Sequence, residues 1–220
     1  VFGKMILKNN LQEEEVIRNL NSSIKRYDII NYLISKNKFL NYLEIGVFKG
    51  ENIREINIAH KDGIDPGAEG YTPPEVNYPM TSNDFFALLK DHEYIKYDII
   101  FIDGLHHSDQ VEKDIKNSLK HLVKGGFILM HDCNPVSYDA QLIPRQTIAW
   151  NGDVWKAFID FKLNNPTYPS CVVDTDFGVG VIHNIGEGYQ IKDKIEDWDY
   201  FDSNRKELLN LITWDEFKKS

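Results

Sequence analysis

Two short runs, DIIFI over 98–102 and GFILM over 126–130, are almost unbroken in apolar residues. A strand wetted on one face alternates apolar with polar residues, so continuous runs of this length mark parallel strands covered by helices on both sides. Helix-compatible spacing surrounds them, in 51–57, in DFFALLKDH before the first run and in DQVEKDIKNSLKHL between the two. Strand and helix thus alternate along the chain. That alternation predicts an α/β fold, a Rossmann-like doubly wound sheet that is mostly parallel with helices on both faces. Near the end, SCVVDTDFGVGVIHN over 170–184 reads as two apolar strands about a turn, an antiparallel hairpin closing the sheet.

The remaining segments are less regular. Leu11, Val16, Ile17, Leu20, Ile24, Ile29, Ile30, Leu33 and Ile34 recur at helical spacing, so residues 1–38 form a helical flank or lid. Residues 39–184 form the main α/β domain, and 185–220, with Trp198 and Trp214, a C-terminal appendage of helices on that domain. The stretch 133–152 holds two prolines and no periodicity, and a loop of that length in a compact domain is usually functional.

Composition excludes several classes. A net charge of −9, with acidic residues spread along the chain, would repel a nucleic-acid backbone. No apolar run approaches the roughly 20 residues needed to span a bilayer, so no membrane partner is expected. The opening VFGKMILKNN has no signal-peptide pattern, and Cys133 and Cys171 make neither a disulfide framework nor a zinc spacing. A reducing, cytoplasmic location is expected. Oligomeric state is not legible, and a homo-oligomer stays open.

Because open parallel sheets bind ligands beyond the carboxyl ends of their strands, the polar residues there carry the function. The first strand ends in Glu44-Ile-Gly46-Val-Phe48-Lys-Gly50 and a helix follows. Glycines let a ligand approach the backbone closely, and Phe48 stands where a dinucleotide fingerprint needs its second glycine. Glu44 would repel phosphate and suits a cation. Some twenty residues on, Asp65 ends the next strand, where a carboxylate commonly accepts from ribose hydroxyls. A nucleoside with a cationic tail suits both, although helix capping by Glu44 and a turn at Asp65-Pro66 are the plain structural alternatives.

From about Leu40 to His183 the chain resembles the class I S-adenosylmethionine-dependent methyltransferases, keeping Glu44, Gly46 and Gly50 of their first motif and departing from it at Phe48. YDIIFIDGLHHSDQVEKDI, LVKGGFILMHDCNP, GDVWKAF and VDTDFGVGVI look more specifically like small methyltransferases of polysaccharide and antibiotic-sugar biosynthesis, the sugar O-methyltransferase type. The resemblance implies S-adenosylmethionine as cofactor, held by Glu44, Gly46, Gly50, Asp65 and Asp103, with Ser82 and Asp84 of MTSNDFF near the adenine after a third strand. It implies a divalent metal such as magnesium on Asp103 and Asp132, weakened because His131 stands where some metal-dependent relatives have another carboxylate.

Methylating a sugar hydroxyl calls for a positioned base or a metal that favours the alkoxide. Asp103, His106 and His107 are the catalytic candidates. Asp103 and His106, three apart, would share a face of a helix that starts early, and the helix N-terminus would favour the neutral imidazole. Solvent-facing capping is the alternative for either histidine, and an N-cap or turn the alternative for Asp132. Cys133 reads as packing. Tyr138, Arg145 and Trp150 are candidates for an acceptor wall, Trp155 reads as core, and Asp174 and Asp176 either shape a turn or face the substrate.

The expected function is methyl transfer to a hydroxyl of a sugar or sugar-derived small molecule, with a sugar or sugar nucleotide as partner. An amino or amide sugar methylated at nitrogen, and a non-catalytic nucleoside-binding partner subunit, are the alternatives. A nicotinamide-dependent oxidoreductase is disfavoured by Phe48.

Overall fold

The computed structural model describes residues 13–67 and 71–220 of the 220. In chain order the elements are α1 (13–20), α2 (Arg26–Asn37), β1 (Asn41–Ile45), α3 (Glu51–Glu55), β2 (His60–Ile64), α4 (Ser82–Leu88), β3 (Tyr97–Ile102) and α5 (Ser108–His121). Then follow β4 (Leu122–Met130), α6 (Val154–Asn164), β5 (Ser170–Val173), β6 (Val179–His183), α7 (Trp198–Leu208), β7 (Leu211–Ile212) and α8 (Trp214–Phe217).

Seven strands form one sheet in the order β2-β1-β3-β4-β6-β5-β7. β1 pairs in parallel with β2 on one side and β3 on the other, β3 with β4 likewise, and β6 turns antiparallel against both β4 and β5. The two apolar runs are β3 and β4, at the centre, as their composition requires. Their alternate side chains serve different cores. Ile100, Ile102, Ile128 and Met130 pack with Phe85, Ile115, Phe158 and Phe201 from α4, α5, α6 and α7. Ile99, Phe101 and Leu129 pack with Ile29, Ile30 and Leu33 of α2, Ile53 of α3 and Phe217 of α8. Period-two alternation thus fills a helix layer on each face.

Three features differ from the sequence reading. In place of the expected third strand before MTSNDFF, the described residues show isolated bridges, one of them between Ile64 and Tyr78. The C-terminal segment contributes not only helices but β7, which extends the sheet beside β5. In α1 the apolar positions Ile17 and Leu20 are exposed, and the helix is tied down instead by polar contacts from Arg18 and Asn19 to the 174–177 turn. Leu11 lies outside the described residues. No described helix is long and apolar enough to cross a membrane.

After β2 the chain crosses back over β1 to lay down β3 on its other side, so the strand order reverses at β1 while β1 and β3 stay paired to their last residues, Ile45 and Ile102. Such a reversal leaves a crevice at the rim, where loops leave in opposite directions. Gly46, Asp65, Ser82, Asp103, His106 and Asp132 line it.

Candidate active site

The crevice opens into a cleft of about 800 Å³ running along the ends of β1, β2, β3 and β4. Its first half is built on the turn after β1. Gly46 has φ +88° and its amide donates to the Ile64 carbonyl at 2.9 Å. A Cβ there would overlap the Asp103 carbonyl, so only glycine lets the β1 and β3 turns touch. Gly50, φ +79°, forms the N-cap of α3. Phe48 itself takes φ +49° and lies exposed at the cleft rim.

Asp65 holds this turn. Its Oδ2 accepts from the amides of Val47 at 2.9 Å and Phe48 at 2.8 Å, and its Oδ1 from Gly67 at 2.7 Å. A carboxylate oxygen accepts about two bonds, so Oδ1 retains one open position facing the cleft. Glu44 stands behind the turn. It is 1 % exposed and does not line the cleft, and its Oε2 accepts from the Tyr42 hydroxyl and, at 2.8 Å, from the Asn52 amide. Burial pushes its carboxyl up to about 7, against the opposing effect of those two donors.

Farther along, Ser82, Gln110 and Asp114 face the same half. The Gln110 amide reaches Asp114 Oδ1 at 3.0 Å and Ser82 Oγ at 3.2 Å, and burial lifts the Asp114 carboxyl to about 6. The N-cap of α4 is Thr81, not Ser82. Thr81 Oγ1 accepts from the Asp84 amide, and the Asp84 carboxylate folds back onto the same hydroxyl at 2.7 Å, which takes Asp84 off the cleft wall.

The second half gathers charged groups from four segments. His106 bridges two carboxylates, with Nε2 3.3 Å from Asp103 Oδ1 and Nδ1 3.3 Å from Asp132 Oδ2. His131 lies beside it, with Nδ1 3.1 Å from Asp132 Oδ2 and 3.5 Å from Asp103 Oδ1. On its far side Nε2 is 3.5 Å from Asp176 Oδ2 and 3.2 Å from the Arg26 guanidinium. Arg26 in turn donates to Asp176 at 3.1 Å and approaches Asp103 at 3.7 Å.

The electrostatics follow from this crowding. Burial opposes charge on every group, yet the imidazoles and Arg26 hold Asp103 well below the usual carboxylate range. Burial likewise disfavours the His106 imidazolium, but the bond to Asp103 and the charge of Asp132 raise its pKa overall, and His131 is raised further by Asp132 and Asp103. Asp176 is lowered by His131 and Arg26. This corrects the expectation of a neutral imidazole at a helix N-terminus: α5 begins only at Ser108, so Asp103 and His106 meet in the connection ahead of it, and two adjacent carboxylates outweigh a helix dipole worth at most ~2 kcal/mol. His107 is the N-cap of α5 and does not line the cleft.

Asp103, His131 and Asp132 are close enough for one ion, each offering a donor within 4.8 Å of the others. Two carboxylates and one imidazole suit a divalent cation such as magnesium or manganese. The donor set therefore fits the expected metal, with His131 joining Asp103 and Asp132.

The long loop locks onto this cluster. Asn151 donates to Asp132 Oδ1, and the Asp153 carboxylate caps α5 through the Ser108 amide at 2.6 Å. Gly152, φ +63°, packs so tightly on the His106 carbonyl that a Cβ would overlap it. Trp150 stacks on the His106 ring at 5.1 Å, and Arg145 lies over the same indole at 5.8 Å. Trp155 is fully buried against Phe201, and Cys133 is fully buried with its thiol pushed well up by burial. Tyr138 packs on Trp198, away from the cleft. Asp174 pairs with Arg18, whereas Asp176 belongs to the cluster.

Residues 67–133 match a family model described as a methyltransferase domain. Similar solved structures include an O-methyltransferase from Bacillus cereus in complex with SAH, 15 % identical over 79 % of this chain and 90 % of that one, TM-score 0.50. The O-methyltransferase TomG from Streptomyces achromogenes, involved in tomaymycin synthesis and in complex with SAM, is 15 % identical over 81 % and 88 %, TM-score 0.53. The SAH-bound methyltransferase PaMTH1 of Podospora anserina is 15 % identical over 84 % and 88 %, TM-score 0.50. This is a methyltransferase fold. No curated protein matches the sequence.

Within the methyltransferase fold the matched stretch includes Ser82, Asp103, His106 and Asp132. The sequence reading missed Arg26, Gln110 and Asp114 on the cleft wall. Gln110 and Asp114 are four apart on α5, a helical spacing that puts them on one face, and so were within reach of the pattern. Arg26 lies 77 residues before Asp103 in the chain and had no local signal.

Proposed function

We propose that this chain is an S-adenosylmethionine-dependent methyltransferase acting on a hydroxyl of a sugar or sugar-derived small molecule. The observation that carries the reading is His106 held between Asp103 and Asp132 on the wall of the cleft that the Gly46 turn and Asp65 also line. The turn proposed to bind the nucleoside and the group proposed to accept the proton face one cleft.

In this reading the bare backbone at Gly46 admits the methionyl part, with Glu44 as a buried carboxylate behind it, whereas Gly50 faces Arg54 and Glu75 and does not line the cleft. Asp65 Oδ1 accepts from the ribose, and Ser82, Gln110 and Asp114 bound the adenine end. The acceptor hydroxyl enters from the Trp150 side. Above its raised pKa the His106 ring is neutral, and the two adjacent carboxylates make it a stronger base than a free imidazole. As the acceptor oxygen bonds the methyl carbon, the carbon–sulfur bond breaks, the electron pair stays on sulfur, and the proton passes to His106. Asp103 and Asp132 stabilise the imidazolium so formed, and alignment supplies much of the rate. A divalent ion on Asp103, Asp132 and His131 would favour the alkoxide form of the acceptor.

Calorimetry with S-adenosylmethionine and S-adenosylhomocysteine, followed by transfer of a labelled methyl group to a panel of sugars and sugar nucleotides, tests the reading. Micromolar binding and turnover of a hydroxyl acceptor are expected. Binding with no turnover across the panel would favour the partner-subunit alternative, and no binding would remove the proposal. Activity assayed with EDTA and then with magnesium decides whether an ion is required.

A further inference from the structure

The chain has five arginines, and four of them lie within 4 Å of a carboxylate: Arg18 with Glu15 and Asp174, Arg26 with Asp103 and Asp176, Arg54 with Glu75, and Arg205 with Asp202. In a protein of net charge −9 that is the expected fate of a guanidinium. Arg145 departs from it. Among the described residues it has no carboxylate partner, and it lines the cleft next to Trp150.

Its geometry is fixed nonetheless. Nε donates to the Thr147 carbonyl at 2.8 Å and Nη2 to the Ile148 carbonyl, so the loop's own backbone holds the plane of the guanidinium. The other three of its five N–H donors have no partner among the described residues. Trp150 beneath it is held in turn by its indole N–H, which donates to the Leu142 carbonyl at 2.8 Å, and by its stack on His106. The loop is anchored at the next residues by Asn151 on Asp132 and by Asp153 on Ser108. A held, uncompensated fork of donors at the acceptor end of a cleft otherwise rich in carboxylates is matched to an anion, because carboxylate and phosphate oxygens take guanidinium N–H groups in pairs.

We propose that the methyl acceptor is itself acidic, carrying a carboxylate or phosphate that Arg145 binds while Trp150 supports the body of the molecule and the reacting hydroxyl points to His106. The inference rests on the methyltransferase reading above and narrows its substrate class. Distance fits. The two ring separations, 5.8 and 5.1 Å laid end to end, bound the gap from the guanidinium carbon to the His106 ring to about 11 Å. Less a contact distance at each end, this leaves a few ångströms between anion and hydroxyl, the span of a single sugar ring bearing both.

The test compares three acceptors sharing one ring, glucose, glucuronate and glucose 1-phosphate, in the wild type and in Arg145→Gln and Arg145→Lys proteins, with S-adenosylmethionine affinity measured separately by calorimetry. In the wild type an acidic acceptor should exceed glucose at least tenfold in kcat/KM, through a lower KM. Preference for glucuronate identifies a carboxylate, and preference for the phosphate identifies a phosphorylated sugar. Arg145→Gln should abolish the preference without changing cofactor affinity. Arg145→Lys should restore it only in part, since an ammonium cannot pair with both oxygens at once. Equal use of neutral and acidic rings by the wild type, or a preference that survives Arg145→Gln, would overturn the acidic-acceptor inference and leave the methyltransferase reading standing. Failure to bind S-adenosylmethionine would instead remove the reading beneath it.

Discussion

The rings of His106 and Trp150 lie face to face, 5.1 Å between centroids and 17° between planes. One belongs to the connection after β3 and the other to the end of the long loop after β4, so the loop supplies a wall to the very group proposed as base. Stacking on an indole stabilises an imidazolium and keeps the ring from turning off its two carboxylates.

Trp150→Ala should therefore weaken both acceptor binding and proton transfer while leaving the cofactor half alone. KM for the acceptor should rise about tenfold, in line with an aromatic contact of 0.5–1.5 kcal/mol plus the lost surface, and kcat should fall less than that. S-adenosylmethionine affinity, read by calorimetry, should stay within a factor of two. A large loss of cofactor affinity would mean that the loop organises the whole cleft instead of one end of it.

Asp103 is the junction of the cluster, facing His106, His131 and Arg26 together. Its replacement by asparagine keeps the shape and removes the charge, so the imidazolium formed on His106 loses one of its two stabilising carboxylates. The kcat should fall by roughly 10²–10⁴, the usual contribution of a positioned acid or base. Binding of S-adenosylhomocysteine should survive, because Gly46 and Asp65 are untouched. Full turnover in Asp103→Asn would remove the aspartate from the mechanism.

What the sequence made legible was whatever depends on local pattern. The apolar runs located β3 and β4 because burial on both faces leaves no room for polar residues, and the ends of those strands led to Asp103 and Asp132. The hairpin about Asp174 and Asp176 followed from two short runs and a turn. What stayed hidden depends on contacts between distant segments. Arg26 reaches Asp176 across 150 residues, and periodicity says nothing about such a pair. Likewise, Glu44 carries the right residue type for a cation, but its i, i+2 neighbour Tyr42 and the facing Asn52 draw the carboxylate behind the turn. The early helix start imagined for α5 failed because Asp153, 45 residues on, supplies the cap at Ser108. That cap places the helix boundary where local sequence gave no signal.

The close packing of the two turns makes a severe prediction at Gly46. With φ at +88° and the Asp103 backbone in the way of any Cβ, Gly46→Ala combines a disfavoured conformation with a clash against main chain that has no rotamer to escape into. Destabilisation above 3 kcal/mol is expected, at the exceptional end of point mutations, and cofactor binding should be lost even at temperatures where the variant remains folded. Gly125→Ala is the control. It also has positive φ, but a Cβ there meets nothing within 4 Å, so it should cost only the roughly 1–2 kcal/mol of the left-handed conformation itself.

Glu44 gives a prediction that separates position from charge. Its carboxyl titrates near 4.5 when unfolded and at about 7 when buried. Between those values the folded chain keeps a proton that the unfolded chain has lost, so stability falls as pH rises through the window and levels off above it. A shift of this size corresponds to about 3 kcal/mol. Glu44→Gln removes the titration while its amide oxygen still accepts from Tyr42. The variant should match the wild type within about 1 kcal/mol at pH 5 and exceed it by roughly 2–4 kcal/mol at pH 8, measured by urea unfolding across that range. Asp114 and Asp160, both raised to about 6 by burial, tilt the two proteins equally and cancel in the difference. Parallel stability curves for the two proteins would show that Glu44 is already ionised in the folded chain at pH 5, and that the layer behind the glycine turn holds a permanent negative charge.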